Sequence, residues 1–319
     1  MIRAYSLSKG KVVGKQIKGS EVPKAISSPR LTWVVASGLG KEEITALFKK
    51  TKEVPDFLIK DCTTRQRPKI EEYTGTLSIV LHGVSGGMRP DQVNLIVGKN
   101  YVLALFKEND PAIAKAEEFL SKNPASIRAM GTGYVLYGFV DAIVGNYRPV
   151  IEALENKVDA IEERVLKNPD AAQLRSIMVV KKANLSLRRN IAPAREVLHV
   201  LGRDGHELVS KKSMPYFSDA YSDMVSVYDG LETLREALSN LMEIHLSLQS
   251  NVTNKVMKTL TVVASLVLVP SLIAGVYGMN LSRLPPPAGS QYGFYLILLL
   301  MLFLMAAMLA GFKKKEWLS

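Results

Sequence analysis

One cysteine, Cys62, in 319 residues excludes an intrachain disulfide framework and agrees with a reducing compartment. It reads as an ordinary packing residue. Histidine is almost as scarce, and His82, His199, His206 and His245 stand at no recognised metal-ligand spacing. They read as packing or surface residues. Enzyme signatures are lacking too: there is no phosphate-binding loop, metalloprotease helix or nucleophile motif, and Gly131-Thr132-Gly133 lacks the third glycine of a dinucleotide fingerprint. The formal charge of +11, from 41 Lys and Arg against 30 Asp and Glu, is dispersed and interleaved with acids. With no basic and aromatic recognition motif, it argues against nucleic acid as a partner.

Charge is missing altogether from residues 260–278 and 292–312, although the rest of the chain is a charged, mixed sequence. Each run is long enough to span a bilayer, since about 20 helical residues cross ~30 Å of hydrocarbon. Neither is a signal peptide, because both lie at the far end of the chain and residues 1–11 have no apolar core. The chain therefore reads as a multi-pass protein of the plasma or inner membrane. Lys255 and Lys258 precede the first run and Lys313, Lys314 and Lys315 follow the second, while the connecting loop carries only Arg283. Positive charge stays inside, so both termini are expected in the cytoplasm. Lysines at that surface would also meet anionic lipid.

Residues 1–106 alternate short β-rich runs with helical patterns. The expected strands are Arg3–Leu7, Lys11–Ile17, Leu31–Ala36, Thr76–Val84, Val93–Val97 and Tyr101–Phe106, the last two joined by the turn Gly98-Lys99-Asn100. Lys41–Lys50 has helical periodicity, with acids at its front and lysines at its back. After Pro111 the pattern is helical: one helix over Tyr134–Leu166, a second over Ala171 to about Leu201, and a third from near Ser218 through the first span. The first two read as a hairpin whose acidic face, Glu152, Glu155, Asp159, Glu162 and Glu163, is solvated. At 1.5 Å per residue the third is ~90 Å long and needs neighbours to stabilise it, which argues for oligomerisation.

The expected organisation is a cytosolic α/β domain over 1–130 and a helical hairpin with stalk helix over 131–258. A first transmembrane helix follows over 259–279, then an extracytoplasmic loop over 280–291, a second transmembrane helix over 292–312 and a basic tail over 313–319.

Asn254, Met257, Thr261, Ala264, Leu268, Ser271, Gly275 and Gly278 recur at steps of three and four, with Leu260 at the edge. Such a seam faces other helices. By pattern alone it serves packing against the second span or a pore equally well, since small residues let membrane helices approach. Polarity favours the pore: Asn254 and Asn280 bracket the span, and an amide offers a carbonyl oxygen without a fixed charge. Copies around an axis would form rings of oxygen able to hold hydrated Mg2+ through its shell, because that ion gives up water reluctantly. Met257, Leu260 and Leu268 between them would be apolar constrictions. Pro270 removes one backbone donor and reads as a tolerated kink. Asn280-Leu281-Ser282 matches a glycosylation sequon, but it abuts the membrane.

Tyr277-Gly278-Met279-Asn280 at the outer end of the first of two terminal spans resembles the Gly-Met-Asn signature of the CorA family. The context is similar to that family too: Pro270-Ser271-Leu272-Ile273-Ala274-Gly275 before it, Lys313-Lys314-Lys315-Glu316-Trp317-Leu318 at the end, and Asp141-Ala142-Ile143-Val144, Arg195-Glu196-Val197-Leu198 and Tyr216-Phe217-Ser218-Asp219 upstream. The likeness covers nearly the whole chain and is weakest in the first 50 residues. It implies a funnel-shaped homopentamer that takes up Mg2+, with Co2+ or Ni2+ as further ions. Asn280 would recognise the hydrated ion, with Gly278 and Met279 shaping its loop. Asn254, Met257, Leu260, Ala264, Leu268 and Ser271 would line the conduit, and Lys313, Lys314 and Lys315 would form a basic collar. Family members also sense cytosolic Mg2+ between subunits. Asp219 matches one principal ligand, and Asp91 is the nearest acid for its partner, after a segment, Ser85-Gly86-Gly87-Met88-Arg89, less acidic than in relatives.

The outer loop departs from the family: Ser282-Arg283-Leu284-Pro285-Pro286-Pro287 has no acid where many relatives carry one. A zinc transporter of the ZntB type shares the plan, but those relatives usually vary the middle of the signature, and Met279 is intact. A non-conducting membrane-anchored sensor or scaffold would not need Asn254 and Asn280 at opposite ends of one span. An enzyme lacks every motif named above.

Overall fold

The structure, a computed structural model, describes residues 1–49, 56–84, 90–107, 110–279, 285–286 and 292–317. It divides into two units: Met1–Arg164 with Ala171–Leu241, and Val165–Asp170 with Met242–Ser319.

The first unit begins as a seven-stranded sheet. In chain order its elements are β1 (Ile2–Ser8), β2 (Lys11–Gln16), α1 (Val22–Ile26), β3 (Thr32–Ser37), α2 (Lys41–Lys49), α3 (Asp56–Thr63), β4 (Lys69–Tyr73), β5 (Thr76–Val84), β6 (Pro90–Gly98), β7 (Tyr101–Phe106), α4 (Pro111–Lys122), α5 (Pro124–Met130) and α6 (Thr132–Gly145). The strand order is β2-β1-β3-β7-β6-β5-β4. Neighbours are antiparallel except β3 and β7, which run parallel with Thr32 opposite Tyr101 and Ser37 opposite Phe106. Strands β5 and β7 are buried along their whole length, as expected of strands covered on both faces. One face packs on α1, α2 and α3 through Val34, Ala36, Ile96, Leu103 and Leu105 against Phe48 and Leu58. The other carries α4 and α6, with Phe139 of α6 packed 6.4 Å from Phe106, ring centre to ring centre.

Strand β4 was not among the expected strands. Its sequence, Lys-Ile-Glu-Glu-Tyr, is charged because it forms the sheet's edge, where charge discourages further pairing. It joins β5 through a turn in which Gly75 takes the left-handed φ of +74° that disfavours other residues. Lys69 is held 2.6 Å from Asp61 and 2.9 Å from Glu71. Next to Asp61, Cys62 is buried, and burial, with Asp61 second, pushes its thiol up to about 12. It is an inert packing residue.

The stretch expected as one helix, Tyr134–Leu166, is two: α6 ends at Gly145 and α7 spans Tyr147–Lys167. Pro149 has no N–H for the Gly145 carbonyl, so the ladder breaks there. Two longer helices follow, α8 (Ala171–Arg203) and α9 (Met214–Tyr277), the second entered through a helical turn at Lys211–Ser213 and Pro215 in its first turn. All three bury residues at alternating steps of three and four. The stripes are Ile151, Leu154, Val158 and Ile161 on α7, Ile177 through Leu201 on α8, and Phe217, Ala220, Met224, Val227, Leu231, Leu234, Leu238 and Leu241 on α9. This is the spacing of left-handed supercoiled helices. Asn184 Nδ2 donates to the Leu231 carbonyl at 3.0 Å, and Arg188 and Arg195 both lie over the Tyr228 ring, at 5.6 and 4.8 Å, fixing α8 on α9. Truncating fully buried Leu231 to alanine would cost about 2–5 kcal/mol. The acids Glu152, Glu155, Asp159, Glu162 and Glu163 are exposed, a solvated face.

The second unit contains the C-terminal part of α9 and α10 (Gly293–Lys314), both long and apolar enough to cross a membrane.

His82 on β5 is 2% exposed, and neither ring nitrogen has a partner among the described residues. Burial first and Arg65 second push its pKa down to about 4, against the pull of Asp91. A base held below its unfolded value near 6.5 stays neutral while the unfolded chain takes up a proton, so this stability is full above pH 6.5 and is lost as pH falls towards 4. The thermal unfolding temperature should therefore drop over that window, and less steeply in His82→Gln. Equal slopes would remove His82 as the source.

Candidate functional site

The seam on the first span is open. Asn254, Met257, Leu260, Ala264, Leu268 and Ser271 are all exposed, Leu268 at 69%. A second stripe on the same segment, Val262, Leu266, Val269, Ile273 and Tyr277, is sheltered, with Val262 2% exposed. At 100° per residue the two stripes are centred roughly 160° apart. Helix α10 also has one sheltered stripe, Ile297, Met301, Leu304, Met305, Met308 and Phe312. A pair of helices needs one such stripe on each. The small and polar members of the seam are among the residues left uncovered on α9, together with Val263, Val267 and Leu272.

Two hydroxyls on the seam are fixed by the helix itself. Ser271 donates to the Val267 carbonyl at 2.7 Å and Thr261 to the Met257 carbonyl at 2.8 Å, so both oxygens are left as acceptors. Helix α9 continues through Pro270. At its end the Gly278 N–H bonds the Ala274 carbonyl at 2.8 Å, and a Cβ on Gly278 would sit 3.1 Å from that oxygen, tighter than ordinary contact. Met279 is 57% exposed. Asn280, the sequon, the Ser282-Arg283-Leu284 loop and the segment 85–89 lie outside the described residues. Lys313 and Lys314 occupy the last turn of α10, Lys315 is its C-cap, and all three are exposed.

A second group lies between α6 and the start of α9. Asp219 and Asp223, one turn apart, both act on half-buried Asp141, which accepts a hydrogen bond from Tyr137 Oη at 3.1 Å. Burial, then Asp223 and Asp219, push the Asp141 carboxyl above its ordinary range against that hydrogen bond. No three His, Cys, Asp or Glu side chains among the described residues converge to hold a metal ion. Asp91 is elsewhere, on β6, where it lines a cleft with Lys41, Arg65 and Lys107.

Residues 29–314 match the model of the family described as CorA-like Mg2+ transporter protein. The chain belongs to the CorA family. A cobalt/magnesium transport protein CorA from Thermotoga maritima is 32% identical over 293 residues, 90% of this chain and 83% of that protein. The complete structure of the CorA magnesium transporter from Methanocaldococcus jannaschii superposes with a TM-score of 0.84 at 24% identity, covering 100% of this chain and 99% of that one. A zinc transport protein ZntB from Photorhabdus laumondii is more distant, 26% identical over 79% of this chain and 77% of its own length. The members of the CorA family are transporters, and the two apolar helices belong in a membrane.

Within this CorA chain the seam reaches further than the span. Carried back from Asn254 in the same three-four register, every position from Ser250 to Asp219 is polar and exposed, including Glu243, Glu236 and Asp229. Extending the spacing upstream would have found these acids from sequence. Asp141 and Asp223 had no such signal, since their meeting depends on how α6 packs on α9.

Asp141→Asn keeps the acceptor for Tyr137 and removes one of three like charges. In Mg2+-free buffer at neutral pH, where the raised Asp141 carboxyl is ionised at a cost, the variant should unfold at a higher temperature than wild type. A lower unfolding temperature would show that the three carboxylates are not in conflict.

Proposed function

We propose that the chain is one subunit of a homopentameric channel for divalent cations, taking up Mg2+ and, as the name of the Thermotoga relative indicates for that protein, Co2+. The observation that carries this reading is the open seam of the first span. It lies opposite the stripe that the span hides, so a face carrying the small and polar residues Thr261, Ala264, Ser271 and Gly275 among its apolar ones is uncovered in the single chain, open to other helices.

In the proposed assembly the first span of each subunit lines the conduit and the second surrounds it, with both termini in the cytoplasm and lipid around α10. Asn280 holds hydrated Mg2+ at the outer mouth, beside Gly278 and Met279. Ser271 and Asn254 offer neutral oxygens further in, with Leu268, Ala264, Leu260 and Met257 as the narrow apolar stretch between them. Lys313, Lys314 and Lys315 form the basic collar. Mg2+ is both substrate and regulator: bound near Asp219, it offsets the repulsion among Asp219, Asp223 and Asp141 and favours a closed ring, with Asp91 as the ligand first proposed from a neighbouring subunit. Its loss shifts the population towards open states, which is negative feedback on uptake.

Mg2+ uptake into proteoliposomes tests the pathway. Asn280→Ala should abolish selective uptake while the oligomer stays intact, and unchanged flux would sink the assignment. Zn2+ carried in preference to Mg2+ would favour the zinc reading instead. Asp219→Ala should raise the internal Mg2+ needed for closure by roughly tenfold to a hundredfold, the loss of one charged ligand interaction of about 1.5–3 kcal/mol. An identical Mg2+ dependence would take Asp219 out of the sensor.

A further inference from the structure

The cleft that Asp91 lines brings three cations, Lys41, Arg65 and Lys107, beside that acid. Its volume is about 420 Å3, within the range of small-molecule pockets. It lies at the carboxyl ends of β3 and β7, the two strands that run parallel. From β3 the chain passes to α2 on one face of the sheet, and from β7 to α4 on the other. Adjacent parallel strands whose helices diverge in this way open a crevice, and that is where open α/β sheets bind their ligands.

The lining has two chemistries. Leu39, Ile44, Leu105 and Phe106 make an apolar wall. Lys41, Arg65 and Lys107 bring three cations to the rim, all exposed, against Asp91 as the one acid among the described lining residues. The N-terminus of α2 faces the same space, and the residue before it, Gly40, has no side chain to fill it. The Gly40 N–H donates to Glu43 at 2.8 Å, one of two acids in the first turn of the helix, and the Gly40 carbonyl accepts from the Ile44 N–H.

We propose that this cleft binds a small organic phosphate, its phosphate on Arg65, Lys107 and Lys41 and its apolar ring or chain against Phe106 and Ile44. The site belongs to the α/β domain and does not depend on the channel reading. Arginine and lysine side chains suit phosphate oxygens, and the apolar wall distinguishes an organic phosphate from the free anion.

Binding of adenosine 5′-diphosphate to the purified full-length protein in detergent, followed by calorimetry without Mg2+, tests it. One saturable site per chain is expected, weakened about tenfold in Arg65→Gln and in Lys107→Gln. Lys99→Gln, at the opposite end of β7, should bind as wild type does. Inorganic phosphate should compete only at much higher concentration. Thermal unfolding of each variant checks that it folds. Absence of saturable binding, or equal binding by wild type and both cleft variants, overturns the proposal. Inorganic phosphate competing as well as the nucleotide overturns its organic part. Tight Mg2+ binding in the cleft that Asp91→Asn abolishes, with no nucleotide binding, would make it a cation site instead.

Discussion

An α-helix as long as α9 holds together only where one side of it is covered, because helix propensity leaves long polar stretches marginal in water. The cover comes from α7 and α8, whose own buried residues keep the same three-four spacing. A seam of that period drifts ~20° per heptad around a straight helix, so it stays covered only if the helices wind about one another. The apolar stripe of α9 resumes in the same register at Val262, 21 residues and therefore three heptads beyond Leu241. One repeat thus decides, along both the charged and the apolar part of the helix, which side is hidden and which is left for other company.

The uncovered register opposite that stripe changes character along the helix. From Asp219 to Asn254 it is entirely polar, and beyond it Ala264, Ser271 and the glycines stand among Met257, Leu260 and Leu268. Asp219 and Asp223 both act against the charge on Asp141. On the reading proposed above, a divalent ion and a second subunit resolve that conflict.

Much of this was legible in the sequence, for identifiable reasons. Helices α8 and α9 were found because apolar spacing persists over many turns, and β5 and β7 because strands buried on both faces are continuous apolar runs. The signature at Gly278 and Met279 was found because it stands at the end of a charge-free span. Strand β4 was missed for the opposite reason: an edge strand such as Lys69–Tyr73 is charged to stay soluble, and its identity comes from pairing with β5. The split at Gly145 depended on Pro149, whose effect falls four residues earlier on a carbonyl. The grouping of Asp141 with Asp219 and the cleft beside Asp91 are products of packing between distant segments, which local pattern does not encode.

Ser271 and Thr261 carry a quieter implication. A hydroxyl whose hydrogen is already given to the carbonyl one turn back can only accept. Water in the shell of a cation turns its hydrogens outward, towards such an oxygen; water around an anion turns them inward and asks its surroundings for donors instead. A passage walled by these two residues would sort ions by the orientation of their hydration water and would need no fixed charge at that depth to do so.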